Sequence, residues 1–435
     1  MSLVPPTAVA MYAHPSTFTT RRHFIAASLI SAISSIAATA RRPRRILLRS
    51  SWQTVNIGDI AHTPGVLALL EKHLPETEVR LWPSNVGNGV KEMLQARFPN
   101  LRILETSDAI KSSFEECDFL LHGSGPSLVA AKDVAKWRDT TGKPYGIYGI
   151  TFNAPDPASV KPEALKQFEQ SVQLLSEARF VFFRDSFSLT EAKNLGCHCP
   201  VMDFGPDGAF ATDLRDDSRA TAFLNANGLE EGNFLCCIPR LRHTPYWTIP
   251  EKKASFDAQK YACNELMKEH DLAPLRQAIV EVVQQTTMKV LICPEDETQV
   301  SLGKEMLLDK LPAKIKERVV WRPQFWRTDE ALSSYVRSAG LFGAEMHSPI
   351  MCIGNEVPAI VCRWKEQTTK GMMWADIGLA EWLFNMDEES EIPGILPAVL
   401  AIAKDPAWAK AKAKEAKALV MQRQAATMQT LLGSL

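Results

Sequence analysis

The sequence predicts an α/β protein made of two successive units of similar design, with a ligand cleft between them. Three observations carry this reading. Short apolar segments alternate with helix-spaced segments between residues 46 and 204. A polar stretch over 214–232, with Asp216, Asp217, Asn225, Asn227 and Gly232, interrupts the pattern. The alternation then restarts at Phe234. Strands separated by helices signal a mostly parallel sheet covered on both faces, and a cleft between two such units is a usual place for a ligand.

In the first half, strands are expected over 46–50, 79–82, 101–104, 119–121, 145–152, 180–183 and 201–204. Val66, Leu67, Leu69, Leu70 and Leu74 recur at helical spacing over 63–73, and further helices are expected over 90–98, 109–116 and 162–177. Ser188, with Glu191 three residues on, reads as a capping box. In the second half, strands are expected over 234–238, 289–293 and 319–322, and helices over 257–285, 302–311 and 329–338. The segment 335–365 then reads helix, strand, polar turn, helix, strand. The expected domains are a leader over 1–40, a first α/β domain over 41–230, a second over 231–400, and a helical segment over 401–435.

A chain of 435 residues that is 46% hydrophobic and 23% charged has the composition of a globular protein large enough for two domains. Its formal net charge of −1 gives no field to attract nucleic acid. Nine cysteines, an odd number without repeated C-x-x-C spacing, suggest no disulfide framework. The Cys197-His198-Cys199 and Cys236-Cys237 clusters assemble no four-ligand zinc site. Arg21 and Arg22 precede an uncharged run over 25–40 that ends Ala38-Thr39-Ala40. This resembles a twin-arginine export signal and predicts a periplasmic or envelope location; the alternative is a basic tail on a cytoplasmic protein.

Asn56-Ile57-Gly58-Asp59 follows the first strand and opens a helix, where Gly58 allows close backbone approach and free amides attract anions. His122-Gly123-Ser124-Gly125 is a second glycine-rich turn after a strand, able to cradle a phosphate or sugar. His347 follows a strand end, where side chains project into the crevice of an open sheet and a histidine can move protons near neutral pH.

Taken together, 56–59, the Gly123-Ser124-Gly125 turn, 180–196, 203–210 and 345–365 resemble the polysaccharide pyruvyl transferase family, in the family's order. The resemblance implies two Rossmann-like domains arranged as in GT-B glycosyltransferases. It implies transfer of the enolpyruvyl unit of phosphoenolpyruvate to two hydroxyls of a glycan acceptor, with no metal or other cofactor. A donor bearing phosphate and carboxylate needs Arg or Lys, and the reaction needs an acid and a base. His347 matches the family's histidine and is the expected proton donor, with Lys365 as the matched lysine. Arg240 and Arg242 are the expected anion clamp, and Asn56 and Asp59 are expected to bind the acceptor, Asp59 as a catalytic carboxylate. Gly58, Gly123 and Ser124 complete the expected substrate-binding set. Arg184 is expected to pair with Asp185 or a helix end, and Asp207 to close the cleft or cap a turn.

One position departs from the family. Where it has an arginine two residues before the histidine, this chain has Glu345. At ~4 Å and an effective dielectric of about 20, a carboxylate there repels each donor charge by about 4 kcal/mol. Alternatively it pairs with an arginine, or raises the pKa of His347. Another anionic donor, a GT-B-like glycosyltransferase using an activated sugar, and an exported glycan-binding protein without activity are the other readings.

Overall fold

The computed structural model describes residues 42–155 and 161–435. The export-signal reading over 1–40, with Arg21 and Arg22, lies outside the described residues. Two parallel sheets form the scaffold. The first comprises β1 (Arg45–Ser50), β2 (Glu78–Pro83), β3 (Arg102–Ile103), β4 (Phe119–His122), β5 (Tyr145–Ile150), β6 (Val181–Phe183) and β7 (Met202–Phe204), in spatial order β3-β2-β1-β4-β5-β6-β7. The second comprises β8 (Phe234–Ile238), β9 (Lys289–Ile292), β10 (Val319–Trp321), β11 (Gly340–Gly343), β12 (Ala359–Arg363) and β13 (Leu383–Asn385), in order β10-β9-β8-β11-β12-β13. The strand order reverses beside β1 in one sheet and beside β8 in the other, the Rossmann arrangement in which ligands sit outside the carboxyl ends at the reversal. Strands such as Phe-Leu-Cys-Cys-Ile in β8 are apolar throughout because both faces of the sheet are covered.

The helices of the described residues include α1 (Ile57–His73), α2 (Ala131–Thr141), α3 (Ser186–Asn194), α4 (Asp217–Ala226), α5 (Ala258–Gln285), α6 (His347–Gly354) and α7 (Pro406–Ser434). The lobes share one core at their junction, where Ile57, Ala61, Ala209 and Phe210 of the first pack with Met346, Ile350 and Met351 of the second. Helix α7 crosses back: Ala409, Ala413 and Val420 pack on the second lobe's core, while Met428 and Leu431 enter the first lobe's core. Among the described residues no helix is long and apolar enough to cross a membrane.

Several local expectations change. The polar stretch 214–232 contains α4, capped by Asp216, whose carboxylate accepts from Arg219 N at 3.1 Å. Its few buried residues, Ala220 and Leu224, gave too little apolar periodicity to mark it. The cap of α3 is Asp185, accepting from Ser188 N at 2.7 Å, so Ser188 lies inside the helix. Glu191 accepts instead from Ala154 N, and no capping box forms there.

Candidate active site

The site forms where the first turns of α1 and α6 meet. At the head of α1, Asn56 accepts from the amides of Gly58 (2.8 Å) and Asp59 (3.0 Å), while Ile57 N donates to the Glu295 carbonyl of the other lobe at 2.9 Å. At the head of α6, Ser348 N donates to Glu295 Oε2 at 2.6 Å. These amides are already satisfied, so anion binding here falls to side chains. Gly58 backs directly onto His347; a Cβ at position 58 would lie 2.2 Å from the His347 Cβ. Only glycine lets α1 approach this closely.

His62 sits one turn after Asp59 on α1, fully buried. Its Nδ1 lies 2.8 Å from Asp207 Oδ1 and 2.9 Å from Ser124 Oγ. His347 Nδ1 lies 3.3 Å from Glu295 Oε1. The two rings meet edge to face with centroids 4.9 Å apart. A carboxylate at Nδ1 puts the proton on that nitrogen and leaves a lone pair on Nε2. Both Nε2 atoms are buried without a hydrogen-bond partner among the described residues. Ligating atoms of Asp59, His62 and His347 lie within 4.8 Å of one another. Three acceptors thus converge on one place, a donor set suited either to hydroxyl protons or to a cation. Burial, reinforced by His62 alongside, holds His347 well below the ordinary imidazole range, so it is neutral at pH 7.

Positive charge reaches the site from two directions. Arg184, fully buried, donates to Asp207 Oδ2 at 2.7 Å and to Thr151 Oγ1 at 2.6 Å, leaving its Nη2 unpartnered. Burial alone would raise the Asp207 carboxyl, but His62 and Arg184 hold it well below the usual carboxylate range. Lys370 feels Arg184 and Arg240 as well as Asp59 and Glu345; burial and the two arginines push its ammonium down to about 8. Arg240 donates to Glu345 Oε2 at 2.6 Å, and Gln299 to Glu345 Oε1 at 2.6 Å. Burial pushes Glu345 up, against the pull of Arg240, to about 7. Of the alternatives for Glu345, pairing with an arginine is the one observed.

His347, Asp59, Gly58, Ser124 and Arg240 therefore come together as the sequence suggests. Gly123 shapes the site indirectly, packing against Ser50, whose Oγ would lie 2.7 Å from a Cβ there. Asn56 caps α1 with its side-chain oxygen, and its backbone bridges to Asp296. Arg242 is committed to Asp271 (2.9 Å) and Asp387 (2.7 Å). Lys365 is exposed, and its amide donates to Asp387 Oδ2 at 2.8 Å. The lysine near the site's charges is Lys370, which feels Arg184, Arg240, Asp59 and Glu345. Arg184 pairs with Asp207 and not with Asp185. His62, Lys370 and the Arg184–Asp207 pair are the groups sequence reasoning missed; of these only His62 had a readable signal, its i+3 spacing from Asp59.

Replacing Asp207 with Asn leaves a buried guanidinium without its anion and should cost about 3–5 kcal/mol in urea unfolding. The folded carboxyl lies below its unfolded value, so its contribution is complete above about pH 4 and is lost as pH falls through the folded value. Asp207→Asn should accordingly give a shallower stability decline below about pH 4 than wild type; parallel acid slopes would contradict this pairing.

No curated protein matches the sequence significantly. Solved structures similar in fold include Anabaena HepE in complex with UDP-glucose, with TM-score 0.55, 10% identity, and coverage of 90% of this chain and 100% of that one. UDP-GlcNAc 2-epimerase from Neisseria meningitidis bound to UDP-GlcNAc gives TM-score 0.53 at 10% identity over 89% and 100%. The trehalose 6-phosphate synthase of Burkholderia multivorans gives 0.52 at 9% over 90% and 96%. These neighbours establish a GT-B-like architecture of two Rossmann-like domains. The family model for polysaccharide pyruvyl transferase matches residues 56–366, and the chain belongs to that family.

Proposed function

We propose that this protein transfers the enolpyruvyl unit of phosphoenolpyruvate to two hydroxyls of a sugar in a cell-surface glycan, closing a cyclic ketal. The carrying observation is the pair of buried imidazoles with partnerless Nε2 atoms beside Asp59. A two-hydroxyl acceptor presents two protons to be moved, and an imidazole and a carboxylate side by side can take them. His347, neutral at rest, takes the first hydroxyl proton and delivers it to the methylene carbon of the donor, making a methyl group. The hydroxyl oxygen bonds to C2. His62 and Asp59 receive the second hydroxyl proton as the second oxygen closes the ring. The bond from C2 to the phosphate oxygen breaks, and phosphate leaves carrying that proton. Arg184 Nη2 and Lys370 meet the donor's phosphate and carboxylate.

Purified protein with phosphoenolpyruvate and a panel of galactose- and mannose-containing acceptors should release phosphate, with UDP-glucose as the control donor. His347→Gln should lower kcat by about 10²–10⁴. Ionising Glu345 sets a negative charge beside the donor, so KM for phosphoenolpyruvate should rise with pH through about 7. Glu345→Gln should flatten that dependence. Absence of phosphate release across the panel, or turnover of UDP-glucose alone, would overturn the proposal.

We also propose that residues 1–40 act as a twin-arginine export signal, on the strength of Arg21, Arg22 and the uncharged run that follows. A folded reporter carrying residues 1–50 should leave the cytoplasm, and Arg21→Lys with Arg22→Lys should retain it. Retention of both forms would refute this.

A further inference from the structure

A second constellation lies beside the Arg242–Asp387 pair and uses none of the residues assigned to proton transfer. His243 is in the loop after β8, Cys263 is on α5, and Glu366 is in the short turn Lys365–Gln367 after β12. Their ligating atoms lie within 4.8 Å of one another, although the residues are up to 123 positions apart in sequence. All three are half-buried.

The surroundings hold these groups in place. His243 N donates to Asn264 Oδ1 at 2.9 Å, and Asn264 Nδ2 returns to the His243 carbonyl at 2.7 Å. The residue next to Cys263 thus ties the histidine loop to α5, and Asn264 is itself buried. Glu366 is bracketed by the Lys365 amide on Asp387 and by Gln367, whose side chain donates to the Ala344 carbonyl at 2.8 Å. Glu366 Oε2 is nevertheless buried without a hydrogen-bond partner. Its nearest cation, Arg242 Nη1 at 3.6 Å, already donates to Asp387 at 2.7 Å. This buried carboxylate oxygen therefore has an ion pair at 3.6 Å but no hydrogen bond of its own.

We infer that His243, Cys263 and Glu366 bind a zinc-like divalent cation. Thiolate, imidazole and carboxylate are the zinc donor set, and the sulfur disfavours magnesium and calcium. Three protein ligands leave a fourth position open. Binding replaces the thiol proton, which leaves to solvent, by an S–metal bond. One thiolate and one carboxylate neutralise the divalent charge. Because β8 and β12 both end here, the open position lies at the carboxyl ends of the second sheet, where an anionic oxygen of a substrate could take it. The inference does not rest on pyruvyl transfer.

The test is cobalt substitution of full-length protein stripped with chelator. One equivalent of Co²⁺ should produce a thiolate-to-cobalt charge-transfer band that Zn²⁺ abolishes. Cys263→Ser should remove the band, and His243→Asn should weaken Zn²⁺ binding by more than about tenfold. The double variant His62→Gln, His347→Gln should retain the band, separating this site from the Asp59 cluster. Absence of the band in wild type, or its survival in Cys263→Ser, overturns the inference. Should Cys263→Ser misfold by circular dichroism, wild-type Zn²⁺ affinity in both His243→Asn and Glu366→Gln would do the same.

Discussion

The approach of α1 to α6 at Gly58 and His347 is the constraint on which the rest depends. Two Rossmann-like lobes could meet in many ways, but here an amide of one helix bonds a carbonyl from the other lobe and a glycine leaves room for an imidazole. Thr328 Oγ1 donates to the Ile57 carbonyl at 3.0 Å, adding a third tie at the same spot. Side chains at the two helix heads are thereby fixed relative to one another by packing and not by a flexible linker. Positional precision of this kind is what acid–base chemistry requires.

That constraint has an electrostatic consequence. Bringing the lobes together buries Asp207, Glu295, Asp296 and Glu345 with Arg184 and, nearby, Arg240. Desolvation of so many charges is tolerable only if they compensate. Arg184 pairs with Asp207, and Arg240 pairs with Glu345, whose carboxyl is nevertheless pushed up by burial to about 7. Asp296 shows the residual strain: burial, reinforced by Glu345, raises its carboxyl to about 6. The groups left over, two imidazole nitrogens, one guanidinium nitrogen and the Lys370 ammonium, are those a donor and acceptor would meet.

Most of the scaffold was legible because its signals are local. The apolar run of β8 and the helix beginning at Pro162 announce themselves within a few residues. Asp59 and His347 were legible because each follows a strand end. The pairing of Arg184 with Asp207 was not, because Asp185 is nearer in sequence and only the fold shows that it caps α3. Lys365 and Lys370 differ by five positions, yet Lys365 is exposed while Lys370 feels the charges of Arg184, Arg240, Asp59 and Glu345. His62, flanked by Ala61 and Thr63, is fully buried on α1. Its burial is real, but its Nε2 faces no partner. The His243, Cys263 and Glu366 cluster was invisible for a related reason: no spacing rule joins a loop, a helix and a turn contributed by separate strands.

The central claim is that the resting site holds His347 as a neutral imidazole with its proton on Nδ1 and a lone pair on Nε2. Long-range ¹H–¹⁵N spectra of ¹⁵N-histidine-labelled protein at pH 7, with His347 assigned by substitution, test this directly. The account predicts the Nδ1–H tautomer, with an unprotonated Nε2. An imidazolium, or a proton on Nε2, at His347 would contradict it.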